Sequence, residues 1–134
     1  MKDITIPVPT DAELEILQVL WGKPDESVRF VNETINKRRN PEQQVGYTTT
    51  LKQMQVMMDK GLLIRTIDNR NHFYKAAQSQ ETTQSVVVQE VANLAFDGNA
   101  SSLVLRALGS GNATMEELEQ IKALIRQMEA QHNK

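Results

Sequence analysis

The apolar residues near the start of the chain lie three or four positions apart, which is the period of an amphipathic helix. This first stripe consists of Leu14, Leu17, Leu20 and Trp21. Thr10 precedes the stripe and Glu13 follows three positions later, a pairing that typically caps a helix N-terminus. We therefore expect a helix over residues 11–21.

A second stripe follows Ser27, whose hydroxyl is a suitable helix cap. It consists of Val28, Val31 and Ile35. The pair Asn40-Pro41 ends it, because the residue before a proline is disfavoured in the helical conformation. The pattern thus predicts a second helix between these two signals.

The segment GYTTTLKQMQVMMDKG, residues 46–61, predicts a third helix. Its apolar stripe consists of Leu51, Met54, Met57, Met58 and Leu62. Gly61 is typical of the position just after a helix end. The residues that fall away from the stripe are Thr48, Thr49, Lys52, Gln53 and Val56. We expect the three consecutive threonines, 48–50, to be exposed.

Two short runs with strand-like alternation follow the third helix, LLIRTID at 62–68 and HFYKA at 72–76. The intervening residues, NRN, include asparagines that tolerate turn conformations. We expect a hairpin with Arg70 at its tip. Two strands of this length are not stable alone, so they must pack on the helices.

Three short helices followed by a hairpin are typical of a winged helix. We therefore expect a mostly α (α+β) protein with a winged helix-turn-helix DNA-binding domain at residues 1–78 and a helical dimerisation domain at 79–134. Hydroxyl groups near the start of the third helix suit phosphates and base edges, and the helix dipole favours phosphate there. The candidate DNA-binding residues are Thr48, Thr49, Lys52, Gln53, Arg70 and Asn71.

The second half of the chain is helical with polar breaks. The polar segment 78–84 is a linker or helix start, and a valine-rich helix is expected over 85–96. After a break at 97–101, Ser101 or Ser102 is expected to cap a short helix over 103–108. Thr114 and Glu117 form a second capping-box pattern before the last helix.

These C-terminal helices are too short a segment to bury their own apolar faces, which predicts a second copy as partner. The spacing of residues 118, 121, 125 and 128 resembles a heptad seam. The candidate dimerisation residues are Val87, Val91, Leu94, Leu103, Leu118, Ile121, Leu124, Ile125 and Met128.

Composition and charge are compatible with these expectations. Residues 1–80 hold eleven Lys/Arg and ten Asp/Glu, or +1, and residues 81–134 hold four and seven, or −3. The absence of cysteine excludes disulfides and thiolate metal sites, and we expect no metal or cofactor. The apolar runs are too short for membrane insertion, so a cytoplasmic location is expected.

Two alternatives to DNA binding are an enzyme and a protein-interaction module. The two histidines, His72 and His132, accompany no catalytic or nucleotide-binding motif, so we expect no enzyme. A winged helix that binds protein without reading DNA stays open, because fold does not fix function. Such a module would carry exposed apolar or acidic residues on the third helix.

The chain resembles the penicillinase repressor family of winged-helix regulators. The resemblance rests on the order and spacing of TDAELEILQVLW (10–21), SVRFVNETIN (27–36), GYTTTLKQMQVMMDKGLLIRT (46–66), NRNHFY (69–74), FDGNASSLVLRAL (96–108) and TMEELEQIKALI (114–125). It implies a homodimer that binds a palindromic double-stranded operator and represses a small regulon responsive to antibiotic or stress.

The resemblance also implies roles for individual residues. Thr49 matches a threonine of the family's recognition helix, Thr48 the position before it, and Arg70 the wing position. Lys52 falls where many members carry threonine, which leaves the base preference there open.

The resemblance further bears on induction. In β-lactam-responsive members a membrane sensor-protease leads to cleavage after a motif like SLVL, which matches residues 102–105. Arg106 and Ala107 follow here, where those members carry Asn-Phe, so we expect the usual protease not to cut at this candidate locus. Copper-responsive members use C-terminal cysteines, which this chain lacks.

Overall fold

The structure, a computed structural model, describes residues 6–133. In chain order the elements are α1 (Asp11–Gly22), α2 (Val28–Lys37), a 3₁₀ turn (Pro41–Gln43), α3 (Tyr47–Asp59), β1 (Leu63–Asp68), β2 (Asn71–Ala76), α4 (Gln80–Ala95), α5 (Ala100–Gly109) and α6 (Met115–His132). This is the predicted mostly helical fold with a small antiparallel sheet. The chain divides into two compact units, and the boundary along the chain falls between Glu90 and Val91, within α4. The domain boundary expected at residue 78 stays a prediction.

The predicted helix caps are confirmed in the first unit. The Thr10 hydroxyl accepts a hydrogen bond from the Glu13 backbone N–H at 3.2 Å, and the Glu13 carboxylate accepts one from the Thr10 N–H at 2.9 Å. The Ser27 hydroxyl accepts from the Phe30 N–H at 3.1 Å. These bonds satisfy backbone donors that have no partner within the helix.

One hydrophobic core holds α1, α2, α3 and the hairpin together. Its largest fully buried apolar side chains are Leu17, Leu20, Val31, Met54, Met57 and Tyr74. The hairpin is fixed to the helices because Tyr74 is buried and its backbone exchanges two hydrogen bonds with Glu26, at 2.9 and 3.1 Å. The arrangement is that of a winged helix, and the methionine stripe of α3 is core, as expected.

The hairpin turn is tighter than the sequence predicts. Asp68 pairs with Asn71, so the turn has two central residues, Asn69 and Arg70, rather than three. Both have positive φ angles, 47° and 70°, which is the pattern of a type I′ turn. This turn is favoured because its twist matches that of the strands.

The expectation that three threonines are exposed is wrong for Thr50. Its side chain is only 3% exposed, and its hydroxyl accepts a hydrogen bond from the Asn32 amide at 2.8 Å. A buried hydroxyl with a partner is tolerated in a core, whereas an unpaired one is costly. Thr48 and Thr49 are exposed, as predicted.

The structure shows where the two shorter C-terminal helices begin. Of the two options left open for residues 78–84, the structure shows a helix start: α4 begins at Gln80, because the Ser79 hydroxyl caps it by accepting from the Thr82 N–H at 3.1 Å. Helix α5 is capped by Asn99, not by Ser101 or Ser102. The Asn99 side chain accepts from the Ser102 N–H at 3.1 Å, and a carbonyl oxygen at this spacing is an efficient cap.

Helix α6 begins as predicted. The Thr114 hydroxyl accepts from the Glu117 N–H at 3.1 Å, and the Glu117 carboxylate accepts from the Thr114 N–H at 2.9 Å, which completes the second capping box. Hydrogen bonding to Thr114 lowers the pKa of Glu117. Within residues 6–133, no helix combines the length and the hydropathy that a bilayer span requires.

Candidate nucleic-acid interface

The exposed side of α3 is mainly polar. Thr48, Lys52, Gln55 and Asp59 are separated by four, three and four residues, so they lie along one line of the helix. All four are exposed, with Thr49 and Val56 beside them. We call Thr48, Thr49, Lys52 and Gln55 the α3 face.

Four of the predicted DNA-binding residues belong to α3. Thr48, Thr49 and Lys52 lie together on the α3 face, whereas Gln53 does not. Gln53 is half-buried, and its amide nitrogen lies 3.5 Å from the Glu13 carboxylate of α1. Gln55, which the sequence reasoning did not name, occupies the exposed position instead. Its spacing from Lys52 and Thr48, three and seven residues, is the signal that identifies it.

A cleft of about 630 Å³ runs between the start of α2, α3 and the hairpin. We call it the α3–hairpin cleft. Its polar lining residues include Arg29, Tyr47, Gln55, Arg65, Arg70, Asn71 and His72. It thus joins the predicted hairpin residues Arg70 and Asn71 to the side of α3.

Besides Gln55, the sequence reasoning missed Arg29, Tyr47, Arg65 and His72, which also line this cleft. Arg29 is the second residue of α2, and its guanidinium lies 5.9 Å from the centroid of the Tyr47 ring, a cation–π distance. Arg65 pairs in register with Tyr74, which places it in the middle of the sheet rather than at the turn. Only the packing of the hairpin against the helices brings these residues together.

Cations in and beside the cleft differ from those that hold the fold together. Across residues 6–133, neither Arg65 nor Arg70 makes an ion pair with a carboxylate, and neither does Lys52. By contrast, Arg39 pairs with Glu15 and donates to the Gln43 carbonyl at 3.1 Å. The pairing with Glu15 raises the pKa of Arg39. Lys52, Arg65 and Arg70 can therefore take an anionic partner from solution without breaking an ion pair within the described residues.

Arg70 holds an unfavourable backbone conformation. A φ of 70° is usual for glycine in a type I′ turn and costs a residue with a side chain on the order of 1 kcal/mol. Its side chain is exposed at the hairpin tip and lines the cleft. A strained position occupied by a large cation is a candidate for a functional role.

The candidate dimerisation residues lie mostly in the second unit. Val91, Leu94, Leu124, Ile125 and Met128 are exposed, and Leu94 is 77% exposed. Leu103, Leu118 and Ile121 are half-buried. Val87 lies in the first unit, half-buried beside Leu14 and Trp21.

The candidate proteolysis locus lies inside a helix. Arg106 and Ala107 are exposed, but both belong to α5, which runs from Ala100 to Gly109. A protease needs an extended backbone, so cleavage here would require local opening of the helix.

Comparison with known proteins identifies the family. The family model described as penicillinase repressor matches residues 9–127. The proteins named Transcriptional regulator BlaI from Mycobacterium tuberculosis strains CDC 1551 / Oshkosh and ATCC 25618 / H37Rv are each 23% identical over 124 residues. Each alignment covers 91% of this chain and 86% of the relative. The chain belongs to the penicillinase repressor family.

Proposed function

We propose that this protein is a cytoplasmic transcriptional repressor that binds a palindromic double-stranded operator as a homodimer and represses a small regulon responsive to antibiotic or stress. Membership of the penicillinase repressor family, a family of regulators rather than enzymes, supports the coarse function. The relatives named Transcriptional regulator BlaI support it further. The observation that carries the DNA-binding part is the α3 face beside the arginine-lined α3–hairpin cleft.

In this proposal the α3 face reads base edges in the major groove. A glutamine side chain such as Gln55 can pair with adenine N6 and N7, and a lysine such as Lys52 with guanine O6 and N7. The hydroxyls of Thr48 and Thr49 are short enough to bond phosphate or base edges without holding the helix away from the groove.

The α3–hairpin cleft would bind the DNA backbone. A guanidinium presents several donors in a fixed plane and suits phosphate oxygens better than any other side chain. Arg29, Arg65 and Arg70 bring three such groups to one cleft. Contacts of this kind set the orientation of the protein on DNA and contribute most of the salt-dependent affinity.

The homodimer is inferred from the second unit. Helices α5 and α6 have no buried side chain, although both carry apolar stripes. Exposed apolar surface of this extent marks an interaction site. A second copy related by a two-fold axis would cover it and hold two α3 helices for two half-sites.

The alternative function, a protein-interaction module, is favoured by two residues on the exposed side of α3. Val56 is 42% exposed, and the carboxylate of Asp59 would repel phosphate. Both follow the α3 face toward the C-terminal end of the helix. They limit how far along α3 DNA contacts would extend.

Residues 106 and 107 bear on induction by a sensor-protease. Because Arg106 and Ala107 stand where β-lactam-responsive members carry Asn-Phe, and because both lie within α5, we expect a protease of the usual specificity to leave this bond intact. A membrane sensor-protease partner of different specificity stays a proposal.

The DNA-binding function is tested by fluorescence anisotropy with duplexes from the promoters of this gene and its neighbours, over a series of salt concentrations. Loss of a base contact in Lys52→Ala should cost about 1–3 kcal/mol on the preferred promoter, and Arg65→Ala should weaken binding to every sequence and reduce the salt slope by about 1. Lys122→Ala, on the exposed surface of α6, is the charge-matched control and should bind as wild type does.

Salt-insensitive binding that is equal for wild type, Lys52→Ala and Arg65→Ala would contradict the proposed interface. No binding to any duplex would favour the protein-interaction module.

A further inference from the structure

One charged side chain in the core connects α1 to α3. Glu13 is 0% exposed. One carboxylate oxygen accepts from the Thr10 N–H at 2.9 Å, and the other accepts from the Lys60 ammonium at 2.8 Å. The Gln53 amide nitrogen lies 3.5 Å from that second oxygen.

A buried carboxylate is costly unless its oxygens are paired. Burial alone raises the pKa of Glu13, but hydrogen bonds from Lys60 and Thr10, with the charge of Lys60, outweigh it and lower the pKa below its ordinary value. Pairs of this kind are often no more stabilising than apolar residues of similar size, and in some proteins they fix geometry instead.

Gln53 lies within α3 and Lys60 is its C-cap residue. They are seven residues apart, close to two helical turns, so they lie on one side of the helix. That side faces α1, and the α3 face lies next to it. The Glu13 carboxylate on α1 is thus bonded to Lys60, just beyond the end of α3. It also lies beside Gln53, in the middle of α3.

We propose that Glu13, through Lys60 and Gln53, is a positioning residue that fixes the rotation of α3 about its own axis and thereby sets the register of the α3 face on base edges. The inference rests on the proposed DNA-binding function. It assigns Gln53 a role in orienting α3 rather than in contacting DNA.

The size of the effect follows from helix geometry. Side-chain ends lie about 5–6 Å from the helix axis, so a rotation of roughly 20° moves them by about 2 Å. A displacement of this size breaks a hydrogen bond to a base edge. Long arginine side chains at the cleft can follow a phosphate over the same distance, so binding to arbitrary DNA should survive.

The competing interpretation is that Lys60 contacts phosphate directly. Lys60 is half exposed, so its ammonium is accessible. In that case Lys60→Met would weaken binding to all sequences equally, and Glu13→Gln, which leaves the ammonium in place, would strengthen binding or leave it unchanged.

The test measures the ratio of affinities for the preferred promoter duplex and for a random duplex of equal length, at one salt concentration. The proteins are wild type, Glu13→Gln, Lys60→Met and the double variant, with Lys122→Met as a charge control. Circular dichroism verifies that each is folded. We expect both single variants to lower the ratio roughly tenfold with little change on random DNA, and the double variant to add almost nothing, as coupled residues do.

A ratio that stays at the wild-type value in Lys60→Met and Glu13→Gln would overturn the inference, as would additive effects in the double variant. If Glu13→Gln does not fold, Lys60→Met decides the question, because a loss confined to the promoter supports positioning and an equal loss on both duplexes opposes it. A wild type that shows no preference for any promoter would refute the proposed function instead.

Discussion

At the residue scale, two asparagines of α2 determine where α3 begins. The Asn32 amide donates to the Val45 carbonyl at 3.0 Å and to the Thr50 hydroxyl at 2.8 Å. The Asn36 side chain donates to the same carbonyl at 2.9 Å and accepts from the Val45 N–H at 2.8 Å. Gly46 is the N-cap residue of α3, and no side chain makes a capping hydrogen bond there. The start of α3 is therefore held by the side chains of Asn32 and Asn36.

This network predicts opposite results for two adjacent threonines. Thr50→Val should lower the free energy of unfolding by about 1–3 kcal/mol, because it leaves the buried Asn32 amide with one partner fewer. Thr49→Val, on the exposed α3 face, should change stability by less than about 0.5 kcal/mol but weaken promoter binding. Urea denaturation and anisotropy measure the two effects, and equal stability losses would contradict the structure.

Glu13 also predicts a pH dependence of stability. Because its folded pKa is lowered, its charge stabilises the protein above the unfolded pKa, and this contribution is lost as pH falls through the folded pKa. Denaturation between about pH 7 and pH 3 should therefore show a shallower acid limb for Glu13→Gln than for wild type. Glu119→Gln, which alters an exposed pair, is the control. Identical acid limbs for wild type and Glu13→Gln would be inconsistent with the lowered pKa.

At the element scale, the hairpin combines a favourable turn with an unfavourable residue. Asn69 is well suited to a positive φ angle, whereas Arg70 at 70° is not. The hairpin thus holds the cation of Arg70 at its tip, in a backbone conformation that lowers the stability of the fold.

Replacing Arg70 by glycine separates its effect on stability from its effect on DNA binding. Arg70→Gly should raise the free energy of unfolding by about 1 kcal/mol, since glycine adopts this conformation without strain. It should also weaken binding to all DNA sequences, because the lost cation would contact the backbone. Asn69→Gly is the matched control and should leave DNA affinity unchanged. An Arg70→Gly variant that binds DNA as wild type does would remove the hairpin from the interface.

Much of the fold could be predicted because its signals are local. The caps at Thr10, Ser27 and Thr114 involve residues three positions apart, and the stripe of α3 is visible in the sequence. The burial of Thr50 could not be predicted, because its hydrogen-bond partner Asn32 is eighteen positions away in the sequence. Similarly, Arg29 and Arg65 become neighbours of α3 only through tertiary packing.

At the scale of the whole molecule, the two compact units differ in how they bury apolar groups. The first unit, which ends at Glu90, has a core of helices and hairpin. In the described part of the second unit, only Ala92 is a buried apolar residue, while Leu105 is 71% exposed. A unit without its own core gains stability from association.

The dimer is tested by a charge placed on the α6 stripe. Leu124→Asp should shift the protein from dimer to monomer in sedimentation at micromolar concentration, because it buries an unpaired carboxylate at the interface. Ala123→Asp adds the same charge on the opposite side of α6 and should remain dimeric. A monomeric wild type, or two variants that behave alike, would contradict the proposed role of this helix.

The most direct test of the central claim, that a two-fold dimer reads DNA through α3, is selection of bound sequences from a random duplex library by the wild-type protein. We predict enrichment of inverted repeats whose half-sites are centred about 10 base pairs, or about 34 Å, apart. Lys52→Ala should change the preferred bases within each half-site without changing their spacing. Enrichment of no sequence, or of one without two-fold symmetry, would contradict it.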